Sequence, residues 1–220
     1  MITLLIAAHV AGLVWEVFLG NEAGHDLVEK FDINVEANIP TWYSSSALFF
    51  SALLLILIGL ATKNAKRPYA WHWILLALIF VFLSCDETAQ IHEWTVPHVF
   101  GILKSQFAQF IGWVIPYAGL VLLFVIAYLR FFFHLPYRFK ILFFGAGALY
   151  VGGALGMELL TGAFGRVVLE GRLHFLFGII EEIFEMGGIV LFIYTLLSYL
   201  ASEFGDINLR FDVKERSGDT

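Results

Sequence analysis

Seven acidic residues lie in three segments that are otherwise strongly apolar, and these residues are the ones best suited to chemistry. A charged side chain near the middle of a membrane costs about 2.5–3.5 kcal/mol on insertion scales, so such residues usually face the interior of a helix bundle and carry function. Carboxylates bind hard and borderline metal ions, and they also act as general acids and bases. The seven residues are Asp86, Glu87, Glu93, Glu158, Glu181, Glu182 and Glu185.

Clustered carboxylates cannot all stay ionised in a medium of low dielectric unless a cation or bound protons neutralise them. No lysine or arginine neighbours these acids in sequence. We therefore expect a divalent metal ion (Fe, Mn, Zn, Ca or Mg), with Glu93 or His92 as general acid or base. The expected metal ligands are Asp86, Glu87, Glu158, Glu181, Glu182 and Glu185.

The spacing of the acids does not select one metal. The Glu-x-x-His pairs of di-iron bundles and the His-Glu-x-x-His motif of zinc proteases are both absent from the sequence. Bound protons are thus the alternative to a metal.

The connection from residue 21 to residue 41 is acidic and predicts a second cation site. Oxygen-bearing side chains alternate at two-residue spacing, and Asp32, Glu36 and Asn38 are its candidate ligands. This run resembles the amino-terminal calcium loop of alkaline ceramidases. That family also carries a His-x-x-x-His pair on its last helix, which this chain lacks, so the resemblance assigns no family.

Composition places the chain in a membrane. Of its 220 residues, 60% are hydrophobic and 15% charged, against about 45–50% and about 25% in soluble domains. The net charge of −6 argues against nucleic acid as a partner. The single cysteine, Cys85, excludes an intrachain disulfide and any multi-cysteine metal site.

Six apolar stretches approach the roughly 20 residues that a bilayer requires, which predicts an all-α bundle of six transmembrane helices. They are residues 2–20, 42–61, 71–93, 110–130, 139–162 and 174–200. We expect a transmembrane domain over residues 1–202 and a polar tail over residues 203–220. Residues 94–109 are expected to form a short interfacial element.

Basic residues follow the second stretch, surround the connection between the fourth and fifth, and recur in the tail. The positive-inside rule therefore predicts that both termini are cytoplasmic. The acids then lie between the midplane and the non-cytoplasmic surface of a multi-pass protein, most simply of a bacterial inner membrane. Helices one, three, five and six, the first through Glu16, are expected to form one outward-opening site.

Helical periodicity places Asp86, Gln90 and Glu93 on one face, and Glu181 and Glu185 on another. Small residues, among them Gly147 and Gly188, predict close approach of the helices. These observations favour a divalent-metal-dependent membrane enzyme that acts on a lipid-like substrate. A cation- or proton-coupled transporter and an accessory subunit of a membrane complex are the alternatives.

Overall fold

The computed structural model describes residues 1–19, 29–33, 35, 37–104, 112–164 and 172–205; for residues 13, 16, 17, 19, 162–164 and 172–175 it describes the backbone alone. Within these ranges the chain is helical and contains no β-strand. The elements in chain order are α1 (Ile2–Leu19), α2 (Ile39–Asn64), α3 (Ala70–Ala89), a 3₁₀ turn (Ile91–Trp94), α4 (Thr95–Leu103), α5 (Val114–His134), α6 (Tyr137–Val151), a π-helical segment (Gly152–Met157), α7 (Glu158–Phe164) and α8 (Arg172–Phe204).

Four stretches of helix in the described part are long and apolar enough to cross a membrane. They correspond to the second, third, fourth and fifth predicted spans, and they cover Ile39–Asn64, Ala70–Ala89, Val114–His134 and Tyr137–Thr161. The protein is therefore an all-helical protein of the multi-pass membrane class. The first and sixth spans and the orientation of the termini stay predictions.

The third predicted span, residues 71–93, extends past the observed end of its helix. Helix α3 ends at Ala89, because Gln90 takes a left-handed conformation with φ 53° and its N–H bonds to the Asp86 carbonyl. The chain then continues as the short 3₁₀ turn and α4, and the interfacial position of this segment stays a prediction. The sequence predicts one helical face for Asp86, Gln90 and Glu93. Because α3 ends at Ala89, Gln90 and Glu93 do not continue that face, and this prediction is wrong.

Consecutive membrane-length helices run in opposite directions, and the bundle has two different ends. Trp73, Phe131, Phe139 and Tyr199 fill one end with tightly packed aromatic rings, and Trp73 is only 2% exposed. The connections α2–α3 and α5–α6 meet at this end, where the rings of Tyr69 and His134 lie 4.9 Å apart. We call it the aromatic end. We call the opposite end the polar end. There α2 begins, α3 ends, and α8 carries Glu181, Glu182 and Glu185.

A glycine allows the closest contact between α6 and α8. A Cβ atom at Gly188 would lie 2.7 Å from the Tyr150 nitrogen and 2.9 Å from the Ala146 oxygen. Gly188 was expected to serve close packing, and this part of the expectation is confirmed. A Cβ atom at Gly147, on the stripe that leads to Glu158, would meet no heavy atom of the described residues within 4 Å. Gly145 and Gly153 do face α8, and a Cβ atom at Gly145 would lie 3.6 Å from the Leu191 Cδ2 atom.

Candidate functional site

The buried Asp86 and the half-buried His92 form a pair at the polar end of α3. Asp86 is 6% exposed, and its Oδ1 accepts a hydrogen bond of 2.7 Å from the His92 backbone nitrogen. The same oxygen lies 3.4 Å from the His92 Nδ1 atom. The left-handed turn at Gln90 makes this geometry possible, because it folds the chain back over the end of its own helix. A carboxylate beside an imidazole is an arrangement suited to proton transfer.

Helix α5 supplies the wall opposite this pair. The Tyr117 side chain lies within electrostatic range of the Asp86 carboxylate. The His92 ring lies 5.0 Å from the Trp113 ring and 6.3 Å from the Tyr117 ring, measured between centroids. Two segments distant in sequence, residues 86–92 and 113–117, thus place a carboxylate, an imidazole and a phenol close together.

Tyr150 of α6 lies near acids from two other helices. Its hydroxyl is within coulombic range of Asp86 and Glu87 from α3, and of Glu182 and Glu185 from α8. The convergence of the acids in one pocket stays a prediction.

The π-helical segment brings α6 against the glutamates of α8. A Cβ atom at Gly153 would lie 2.9 Å from the Glu181 carbonyl oxygen and 3.0 Å from the Glu185 Cγ atom. The backbones therefore approach as closely as a glycine permits. Glu158 begins α7 directly after this segment, in a half-buried position. π turns inside helices occur frequently at functional sites.

A ladder of hydroxyls joins α2 to α3 beside the site. Ser45 Oγ donates to the Ser84 carbonyl at 2.7 Å, and Ser84 Oγ donates to the Ser45 carbonyl at 2.8 Å. Thr88 Oγ1 donates to Ser45 Oγ at 2.9 Å. The sequence analysis did not predict these bonds. Polar side chains at matching depths in two consecutive spans would have indicated a contact between the helices. Such bonds between membrane helices contribute on the order of 1 kcal/mol each.

Four further acidic and histidine residues near this end, Glu93, His98, Glu16 and His174, have no described contact with Asp86. Glu93 is exposed, so of the two predicted acid–base residues it is His92 that contacts the buried carboxylate. His98 is exposed, with its Nδ1 atom 2.8 Å from the Trp94 carbonyl. The side chains of Glu16 and His174 lie outside the described residues. Within the described side chains, no three His, Cys, Asp or Glu residues group together as a set of metal ligands.

Comparison with known proteins gives one match. Residues 1–200 match a family described as Domain of unknown function (DUF8692). The chain belongs to this family. No curated protein and no solved structure matches it. Because the match spans nine-tenths of the sequence, the four membrane-length helices and the polar end both lie inside the family domain.

Two of the three predicted ligands of the second cation site have other contacts in the structure. Asp32 Oδ1 lies 3.4 Å from Nδ1 of the buried His9 in α1. Asn38 caps α2, since its Oδ1 accepts hydrogen bonds from the Thr41 nitrogen at 3.2 Å and the Thr41 hydroxyl at 3.3 Å. Glu36 lies outside the described residues, and the second cation site stays a prediction.

The same loop docks on the polar end of the bundle. Ile33 is 2% exposed and packs with Leu5 of α1 and Met186 of α8. The Ile33 nitrogen donates to His9 Nδ1 at 3.3 Å. Burial of Ile33 and the polar contacts of Asp32 hold this segment against α1 and against the helix that carries the glutamates.

Proposed function

We propose that this protein is a membrane enzyme whose acid–base site lies at the polar end of the bundle and acts on a lipid-like substrate. The observation that carries the proposal is the contact of His92 with the buried carboxylate of Asp86. Tyr117 and Tyr150 lie within electrostatic range of the same carboxylate. The carboxylate orients the imidazole and stabilises its protonated form. The imidazole can then take a proton from a substrate or from water and return it later.

The position of the acid–base pair at one end of the bundle supports an enzyme. A core of buried apolar and aromatic side chains occupies the part of the bundle toward the aromatic end. At mid-depth, the hydroxyls of Ser51 and Thr195 bond to carbonyls of their own helices. A substrate that enters from one leaflet can reach such a site without crossing the protein. By the positive-inside rule this end faces the non-cytoplasmic side.

Replacement of His92 by asparagine tests the acid–base role. The backbone bond from residue 92 to Asp86 remains in this variant, so the fold is preserved while the imidazole is lost. We expect formation of product from a total membrane lipid extract, followed by mass spectrometry with protein in liposomes, to fall by at least about 100-fold. The matched control is His98→Asn, since His98 is exposed and its ring contacts only the Trp94 carbonyl among the bonds that the structure gives it. No change in any lipid with the wild-type protein, or equal turnover by His92→Asn, would contradict the proposal.

The metal predicted from sequence is a separate part of the proposal. Since the described side chains form no set of three ligands, a divalent ion requires the carboxylates of α3 and α8 to close around it. Metal analysis of the purified protein tests this. A stoichiometric ion that Glu182→Gln removes, and that Glu203→Gln at the aromatic end retains, is the expected result. A wild-type protein without bound metal would leave protons as the neutralising charge and would remove the metal from the proposal.

A proton- or cation-coupled transporter is the second candidate, favoured by the π-helical segment. Transporters often interrupt their spanning helices where the substrate and coupling ions bind, and Gly152–Met157 interrupts such a helix beside Glu185. A cation flux in proteoliposomes that depends on a pH gradient and is lost in Glu185→Gln would favour this candidate over the enzyme. The accessory-subunit role stays a prediction, to be tested by co-purification.

A further inference from the structure

A cavity lies at the aromatic end, remote from the acids of the polar end. It has a volume of about 270 Å³ and is half-open to the surroundings, between the α2–α3 and α5–α6 connections and the last turns of α8. Thr62, Arg67, Tyr69, His134, Tyr199 and Glu203 are among the residues that line it. Sites for drug-sized ligands span about 300–1,000 Å³, so this cavity suits a small polar group rather than a whole lipid.

Thr62 lines the cavity and carries a buried hydroxyl. The residue is 3% exposed, and its hydroxyl makes no hydrogen bond to any residue that the structure describes. A threonine in a helix commonly bonds to the carbonyl one turn earlier, but this hydroxyl does not. A buried hydroxyl left without a partner costs about 1–3 kcal/mol, so a ligand that accepts its hydrogen bond gains that energy.

Arg67 and Glu203 give the cavity one charge of each sign. Arg67 Nη1 lies 3.0 Å from Glu203 Oε2, and Nη2 lies 3.3 Å from the Glu203 carbonyl. A guanidinium carries five N–H donors, and a carboxylate has about four acceptor positions. Both groups therefore keep bonding capacity beyond their mutual contact. A ligand with both charges matches them better than an anion, which would meet the carboxylate of Glu203.

Aromatic rings form the wall beside these charges. Tyr69 has a left-handed backbone with φ 68°, which is costly for a residue with a Cβ atom. Its ring lies 4.9 Å from the His134 ring and 5.7 Å from the Phe131 ring. Rings of this kind attract ammonium groups through their π faces.

The position of the cavity indicates where its ligand comes from. The candidate spans end at Asn64 and His134 and begin at Ala70 and Tyr137, and these four ends surround the cavity. The large rings of Trp71 and Tyr137 are exposed at the same level, as is typical of the membrane–water interface. The headgroups of the bilayer lie at this depth.

We propose that this cavity binds the headgroup of a zwitterionic phospholipid. Arg67 and the Thr62 hydroxyl hold the phosphate, while Glu203 and the aromatic wall hold the ammonium group. The acyl chains remain outside, along the surface of the bundle. This site is independent of the acid–base site, so failure of one proposal does not affect the other.

The test compares two short-chain lipids on the full chain in detergent by native mass spectrometry. Dihexanoyl phosphatidylethanolamine and dihexanoyl phosphatidylglycerol share their acyl chains and differ in headgroup charge. We expect preferential retention of the ethanolamine lipid. Thr62→Val should weaken that retention about 5-fold and Arg67→Gln about 10-fold or more. Lys66→Gln removes a neighbouring exposed charge outside the cavity and should leave retention unchanged.

Thr62→Val also separates binding from folding. Because the hydroxyl has no partner among the described residues, the variant is expected to melt at the wild-type temperature or above when lipid is absent. Equal retention of the two lipids would overturn the proposal in favour of anionic or unspecific lipid contact. Wild-type retention by folded Thr62→Val would overturn it as well, whatever the behaviour of Arg67→Gln.

Discussion

Gly188→Ala is expected to lower the stability of the bundle by about 1–3 kcal/mol, the usual cost of overpacking a close contact. The new methyl group would lie 2.7 Å from the Tyr150 nitrogen and 2.9 Å from the Ala146 oxygen. Both are backbone atoms of α6, which cannot move aside as a flexible side chain can. Helices α6 and α8 must therefore separate. Thermal unfolding in detergent measures the effect.

Gly187→Ala is the matched control for this prediction. A Cβ atom at residue 187 meets no heavy atom of the described residues within 4 Å, and alanine favours a helix over glycine by about 1 kcal/mol. Substitution of adjacent glycines should thus change the melting temperature in opposite directions. Equal effects of the two variants would show that α6 and α8 do not touch at Gly188.

Asp86→Ala is expected to lower the free energy of unfolding by about 1–3 kcal/mol, since it leaves a donor to a buried carboxylate unsatisfied. The His92 backbone nitrogen loses its acceptor, and Tyr117 loses the carboxylate beside it. Asp86→Asn retains an oxygen in the same place and should recover most of the loss. Unfolding in detergent monitored by tryptophan fluorescence follows both variants, because Trp113 lies against His92.

Cys85→Ala provides the control for Asp86→Ala. Cys85 is exposed on the same turn of α3, and its replacement should leave stability within the range of ordinary surface substitutions. If Asp86→Ala, Cys85→Ala and the wild type all have the same free energy of unfolding, the contacts of Asp86 contribute nothing to the stability of the fold. The 3₁₀ turn would then need another source of support.

Hydropathy predicted the long helices because length and apolar content depend little on detail. The spans over α2, α3, α5 and α6 emerge from sequence at close to their observed positions. Gly188 was also recognisable, since small residues in a membrane helix signal close packing. These features require knowledge of one helix at a time.

The centre of the site could not be predicted in the same way. The left-handed Gln90 returns His92 to Asp86, and a uniform helical period placed His92 on the wrong face. Tyr150 is one aromatic residue among many in the sequence, and only the packing of three helices brings it within coulombic range of four acids. Such proximity depends on contacts between segments distant in the sequence, which periodicity along one helix does not contain.

The π-helical segment has a consequence for how the chain can vary in length. A π turn contains one residue more than the α-helical turn it replaces, so everything after Met157 is rotated by about 100° relative to a straight continuation of α6. Loss of one residue between Gly152 and Met157 would restore an ordinary α-helical turn and leave Glu158 facing in the same direction. Elsewhere in a membrane span, the loss of a residue rotates everything that follows it, but this stretch can lose one without that rotation.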